Sequence, residues 1–256
     1  MALMEQPIAV LDSGVGGISV LRELVRAMPS ENFLYFGDSK NAPYGEKSPE
    51  EVLRITRENL QFLLARGIKA LVIACNTATG AAARTLRAEY PDLILIGIEP
   101  ALKPASLLGG RPRVLVMATP LTLKQEKFCA LMERFSDAEE ILPLPCAGLA
   151  ERVENGLLEG EALDEYLENL LSPHKSSKID AVVLGCTHYP HIKSEIAKHL
   201  PHGVKILDGS EGTARETRRR LLEAGLLREN GEGTVEILNS DPDPSRVSFC
   251  RMLLER

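Results

Sequence analysis

"IDAVVLGCTH" (residues 179–188) lies over "IKALVIACNT" (residues 68–77) without a gap. Ile179 falls on Ile68, Ala181 on Ala70, Val183 on Val72 and Cys186 on Cys75. An apolar run with no polar alternation is the pattern of a strand covered on both faces. Here each run ends on a thiol and passes into polar residues. The relation continues upstream. The run "IAVL" gives out at Asp12, 63 residues before Cys75, and "VLVMA" gives out at Thr119, 67 residues before Cys186. The chain reads as two related halves, each with a cysteine at the carboxyl end of a strand.

The other short apolar runs fit the same pattern. "IAVL" (8–11), "FLYF" (33–36), "LILIGI" (93–98) and "VLVMA" (114–118) alternate with amphipathic stretches. Ser48-Pro49-Glu50-Glu51 combines a capping Ser, a Pro at the first helical position and a Glu three residues on. Thr122 with Gln125 has the same spacing ahead of a helix expected to end near Phe135. Pro190 and Pro201 bracket another helix. Strands alternating with helices predict an α/β fold. Two similar domains with mainly parallel sheets are expected, related by a pseudo-twofold, with the site in the cleft between them. The chain is expected to return late. Residues 1–98 and 208–256 then form the first domain, and residues 99–207 the second.

Composition narrows the classes. The 256 residues carry a net charge of −6. "RETRRR" (215–220) is a basic cluster among acidic neighbours in a helical pattern, and reads as a solvated helix face, not a nucleic-acid surface. No segment reaches the roughly 18 to 20 apolar residues of a membrane span. "MALMEQPIAVLDSG" lacks the basic start of a secretion signal. Five cysteines, at 75, 129, 146, 186 and 250, form no Cys-x-x-Cys pair. A cytoplasmic protein with free thiols is expected. "DSGVGG" (12–17) lacks the third glycine of a dinucleotide turn, since position 19 is Ser19. Gly16 and Gly17 are read as letting a helix start close to the sheet.

Functional groups on open α/β sheets gather at the carboxyl ends of strands. Two such halves across a cleft present Cys75 and Cys186 from opposite sides. Three uses compete for opposed thiols. A structural metal site would want cysteines in close pairs, and only Cys75, Cys186, His188 and His191 are candidates. A redox disulfide is a second use, though one cysteine on each of two domain faces is unusual for it. The third is inversion of a carbon acid, which takes a base on one face and an acid on the other. Cys129, Cys146 and Cys250 lack this context and are read as structural.

"AVLDSGVGG" (9–17), "APYG" (42–45), "ACNTAT" (74–79), "ATPLT" (118–122) and "GCTHYP" (185–190), in this order, resemble the glutamate racemase family. The resemblance runs from the first strand to about "LDGSEG" (207–212). It implies racemisation of L- and D-glutamate without cofactor or metal, supplying D-glutamate for peptidoglycan. It also implies that Cys186 takes the α-proton of L-glutamate while Cys75 donates from the other face. His188 is placed to assist Cys186. Asp12 is placed to assist Cys75 or to hold the substrate ammonium. Glu154 resembles a further acid near the second cysteine, with Glu151 one turn earlier. Ser13, Pro43, Tyr44, Gly45, Asn76, Thr77, Thr119, Thr122, Thr187 and His188, with Asp12, match the substrate-binding positions. The matched motifs contain no Arg or Lys, so neutral donors are expected to hold the two carboxylates.

A free thiol has a pKa of about 8.5, so a thiolate must be made available. A helix N-terminus after each strand is expected to lower the thiol pKa. Gln125 departs from the small polar residue common in the family. The chain starts a few residues before the first strand, while some relatives carry an extension tied to activation by a peptidoglycan precursor. Control of that kind is not expected, and several-fold activation by added precursor would contradict this. An aspartate racemase and a catalytically silent amino-acid-binding protein are the rival readings. No nucleic-acid or membrane partner is implied, and the sequence is compatible with either a monomer or a homodimer.

Overall fold

The structure is a computed structural model and describes residues 3–175 and 177–256. Among the described residues there are nine strands: β1 (Ile8–Asp12), β2 (Phe33–Gly37), β3 (Ala70–Ile73), β4 (Ile94–Gly97), β5 (Arg113–Ala118), β6 (Glu140–Pro145), β7 (Ala181–Leu184), β8 (Lys205–Asp208) and β9 (Val235–Asn239). They form two sheets, ordered β4-β3-β1-β2-β9 and β6-β5-β7-β8. Every pairing is parallel. Read from its other edge, the second sheet runs β8-β7-β5-β6. That is the order β4-β3-β1-β2 of the first. The sequence repeat is therefore a repeat of topology, and β9 is the strand that the first sheet adds.

The six apolar runs read from the sequence are β1, β2, β3, β4, β5 and β7. β1, β2, β3 and β7 are buried at every position. β6, β8 and β9 escaped that reading. Each is an edge strand and partly exposed, so its side chains need not form an apolar run. β6 also carries Pro143 and Pro145, which an edge tolerates because half of its backbone donors are unused there.

The helix signals were met in part. Ser48 caps helix Pro49–Leu64, its hydroxyl accepting from Glu51 N at 3.2 Å. The Thr122–Gln125 capping box does not form. Thr119 instead caps a short helix, Pro120–Lys124, by accepting from Thr122 N at 3.2 Å. Gln125 is extended and opens helix Glu126–Phe135, which ends where expected. Both side chains are engaged elsewhere, across the cleft. Helix Ser210–Glu223 carries the basic cluster as a solvated face, with Arg215 paired to Glu211 and Arg219 to Glu216 and Glu223. Its opposite face, with Thr213, Thr217 and Leu221 buried, packs on helix Ile18–Ala27. The chain thus leaves β8 and returns to the first sheet, where β9 pairs with β2.

One apolar cluster runs from Val10 and Val72 in the first sheet to Leu115, Val182 and Leu184 in the second. Cys146 and Cys250 are buried in it, whereas Cys129 is exposed. Among the described residues no helix is long and apolar enough to cross a membrane.

Candidate active site

The carboxyl ends of β1, β3, β5 and β7 converge on a cavity of about 150 Å³. Ser13, Pro43, Tyr44, Gly45, Cys75, Asn76 and Thr77 line it from one side. Thr119, Glu154, Cys186, Thr187 and His188 line it from the other. Asp12 and Thr122 stand one layer behind the wall. The repeat thus brings the two thiols to one small space, both free and buried.

The thiols are held differently. Cys75 caps helix Asn76–Glu89, its Sγ accepting from Ala78 N at 3.4 Å. Burial pushes this thiol up to about 12, and the neighbouring Asp12 pushes the same way. The Ala78 N–H and the Ser13 hydroxyl pull it down without winning. The expected lowering by a helix N-terminus is therefore overturned at Cys75, because desolvation of a thiolate outweighs one backbone donor. Cys186 has no helix directly after it. A turn leads into a 3-10 segment, Tyr189–Ile192, opened by Pro190. A side chain stands in its place: His188 Nδ1 lies 3.7 Å from Cys186 Sγ.

His188 Nε2 is 2.8 Å from Glu154 Oε2. Glu151 and Glu154 both line the cavity, but of the two it is Glu154 that bonds the imidazole. Burial works against an imidazolium at His188, yet the bonds to Cys186 and Glu154 outweigh it and hold its pKa well above the ordinary value. Burial likewise raises Glu154, but the bond from His188, with help from Ser39 and Val15 N, brings its carboxyl below the usual range. Ser39 Oγ donates to Glu154 Oε1 at 2.5 Å and Val15 N to Oε2 at 2.9 Å. Cys186, His188 and Glu154 form a hydrogen-bonded series that Ser39 and Val15 tie to the first half of the chain.

Asp12 binds both halves. Its Oδ1 accepts from Gly14 N and its Oδ2 from Thr187 Oγ1, each at 3.0 Å. Burial pushes its carboxyl above the ordinary value, which the charge on His188 opposes. Thr77, Thr119 and Thr122 join their hydroxyls in a ring, with Thr77 reaching Thr122 at 2.9 Å and Thr119 at 3.2 Å. Gln125 Nε2 donates to Thr77 O at 2.9 Å. Tyr44 OH donates to Asp38 Oδ2 at 2.6 Å, which fixes its ring at the wall. Asn76 Oδ1 is buried without a hydrogen-bond partner among the described residues, an acceptor left for a ligand N–H.

The glycines of "DSGVGG" explain how the halves meet. A methyl at Gly14 would strike the Glu154 carboxylate, and one at Gly16 the His188 imidazole. At Gly17 it would stand 2.5 Å from Asp12 Cβ, as the helix-start reading anticipated. Ser19, at the missing third glycine, donates to Thr187 O at 3.0 Å.

Sequence reasoning missed Ser39, Asn155 and Arg246 on the cavity wall. None lies in the repeat. Arg246 belongs to helix Pro244–Glu255, beyond every motif. No local signal marks it. Only the return of the chain brings it here.

A model of the Asp/Glu/hydantoin racemase family matches residues 8–217. The chain belongs to the Asp/Glu/hydantoin racemase family. One relative within it, the glutamate racemase of Clostridium botulinum (strain Alaska E43 / Type E3), is 47% identical over 251 residues, covering 98% of this chain and 97% of its own. Among solved racemase structures, glutamate racemase isoform RacE1 of Bacillus anthracis has a TM-score of 0.86 at 33% identity, over 98% of this chain and 93% of that one. The glutamate racemase of Francisella tularensis, solved with D-glutamate, has a TM-score of 0.85 at 28% identity, over 99% and 95%. The chain is thus a racemase and, as such, an isomerase.

Proposed function

We infer that the protein interconverts L- and D-glutamate by moving the α-proton between two cysteines. The observation that carries this is two buried thiols, from equivalent places of a repeat and following strands of different sheets, that line one small cavity. Relatives named for glutamate, matched over nearly their full length, support the substrate.

The asymmetry of the thiols supports a resting arrangement. Cys75, pushed up to about 12, carries a proton ready to donate. Cys186 passes its own proton to the His188 imidazole beside it, which frees the sulfur to act as base. L-Glutamate then loses its α-proton to the Cys186 sulfur, and Cys75 protonates the opposite face. The reverse reaction runs the same path backwards. Negative charge builds on the α-carboxylate as the proton leaves. The backbone N–H groups of Asn76 and Thr77, at the first turn of helix Asn76–Glu89, are fixed before reaction, so they can strengthen toward that charge without reorganising. Asp12 acts as a brace, holding Gly14 of the first half and Thr187 of the second. A domain boundary at 98/99 accords with β4 ending at Gly97, whereas one at 207/208 cuts Asp208 from the end of β8, so the return to the first half is placed after Asp208. A cytoplasmic role supplying D-glutamate for peptidoglycan accords with this reaction.

The test is incubation with L-glutamate in heavy water. D-Glutamate carrying α-deuterium is expected. Exchange with aspartate but not glutamate would move the assignment to aspartate. Tight glutamate binding with no α-exchange would leave a binding protein.

A further inference from the structure

We propose that Arg246 captures the anionic substrate at the mouth of the cavity. The inference rests on the glutamate reading above. With two carboxylates and one ammonium, glutamate is a net anion at neutral pH. The protein it approaches has a net charge of −6, and the cavity wall carries Glu151 and Glu154. Such a field repels the substrate unless something at the site reverses it. Among the described residues of the wall, Arg246 is the one Arg or Lys.

Its placement suits capture. Asp243 caps helix Pro244–Glu255, and Arg246 N bonds back to Asp243 O at 3.0 Å, fixing the base of the side chain. At its head, Nη1 donates to Glu154 O at 2.8 Å. Nε stands 3.5 Å from Asp241 Oδ2, long for an ion pair, so the charge is loosely neutralised. Nη2 has no hydrogen-bond partner among the described residues. The side chain keeps about 26% of its exposure, which puts the cation at the rim, between solvent and the Cys186–His188–Glu154 chain. The neutral donors deeper in the cavity hold the substrate; Arg246 brings it to them. Arginine suits this position because its charge persists at every working pH.

Arg246→Gln and Arg246→Lys test this by steady-state racemisation of L-glutamate at low and high ionic strength, with thermal melts to show that each variant folds. For Arg246→Gln, KM is expected to rise about tenfold, a loss of about 1.4 kcal/mol, with kcat changing much less. The gap from wild type should narrow in high salt, because screening removes what the cation supplies. Arg246→Lys keeps the charge but lacks the fork, and should recover most of the loss. A fall in kcat at unchanged KM, a defect indifferent to salt, or Arg246→Lys as poor as Arg246→Gln would overturn the proposal and leave Arg246 a tie on the Glu154 carbonyl. Wild type inert toward glutamate would sink both readings. Wild type active with Arg246→Gln indistinguishable from it would sink this one alone.

Discussion

Cys75 and Cys186 were readable as a pair because the repeat aligns them, but the repeat hides how differently their protons are held. One sulfur is served by a helix N-terminus, the other by an imidazole. Both cysteines are expected to be indispensable: Cys75→Ala and Cys186→Ala should each abolish racemisation, scored by polarimetry. Glu154→Gln keeps a bond to His188 Nε2 while removing the charge that favours the imidazolium. It is expected to lower kcat for L-glutamate by about a hundredfold, the scale of an acid–base contribution, while KM moves little. A loss confined to KM would contradict the passing of the Cys186 proton to His188. The choice of Glu154 over Glu151 could not be made from sequence, since one helical turn separates them and both reach the wall. Arg246 was invisible for another reason. A single arginine in a C-terminal helix carries no pattern until the chain has folded back.

At the scale of elements, legibility followed burial. Strands covered on both faces announce themselves as unbroken apolar runs, as β1 and β7 do. β6, β8 and β9 lie at edges, where solvent tolerates Glu140, Lys205 and Glu236, so no period survives to be read. Capping was legible where a cap serves only its helix, as Ser48 does. It misled at Thr122 and Gln125, whose side chains reach across to Thr77. Two substitutions separate these cases. Ser48→Ala should cost about 1 kcal/mol in a denaturation curve and leave kcat alone. Gly16→Ala drives a methyl into the His188 imidazole and is expected to lower kcat/KM by at least about tenfold, as do small displacements of catalytic groups. A fully active Gly16→Ala enzyme would show that the two halves need not approach so closely.

Over the whole molecule, the halves are joined by buried polar contacts as well as the shared core. His191 Nε2 donates to Gly16 O at 3.1 Å, second half to first. Burial lowers this imidazole to about 4, with the charge on His188 adding to the effect. The sign follows. Between the ordinary imidazole value of about 6.5 and the folded value, the unfolded chain binds the proton and the folded chain does not. Stability therefore falls as pH falls through that window, by on the order of 3 kcal/mol from this group. His191→Gln retains a donor toward Gly16 O and should flatten that limb of a stability–pH profile. An unchanged limb would place the acid sensitivity elsewhere.

The path between the sheets has a mechanical consequence. The chain leaves the first sheet after β4 and comes back after β8, and the two crossings touch: Gly209 is packed so closely on Glu99 O that a methyl there would collide with it. Two chain crossings lying side by side confine the covalent joint between the sheets to one place. Everything else that sets the distance between the two thiols is non-covalent: the shared core and the buried polar contacts between the halves.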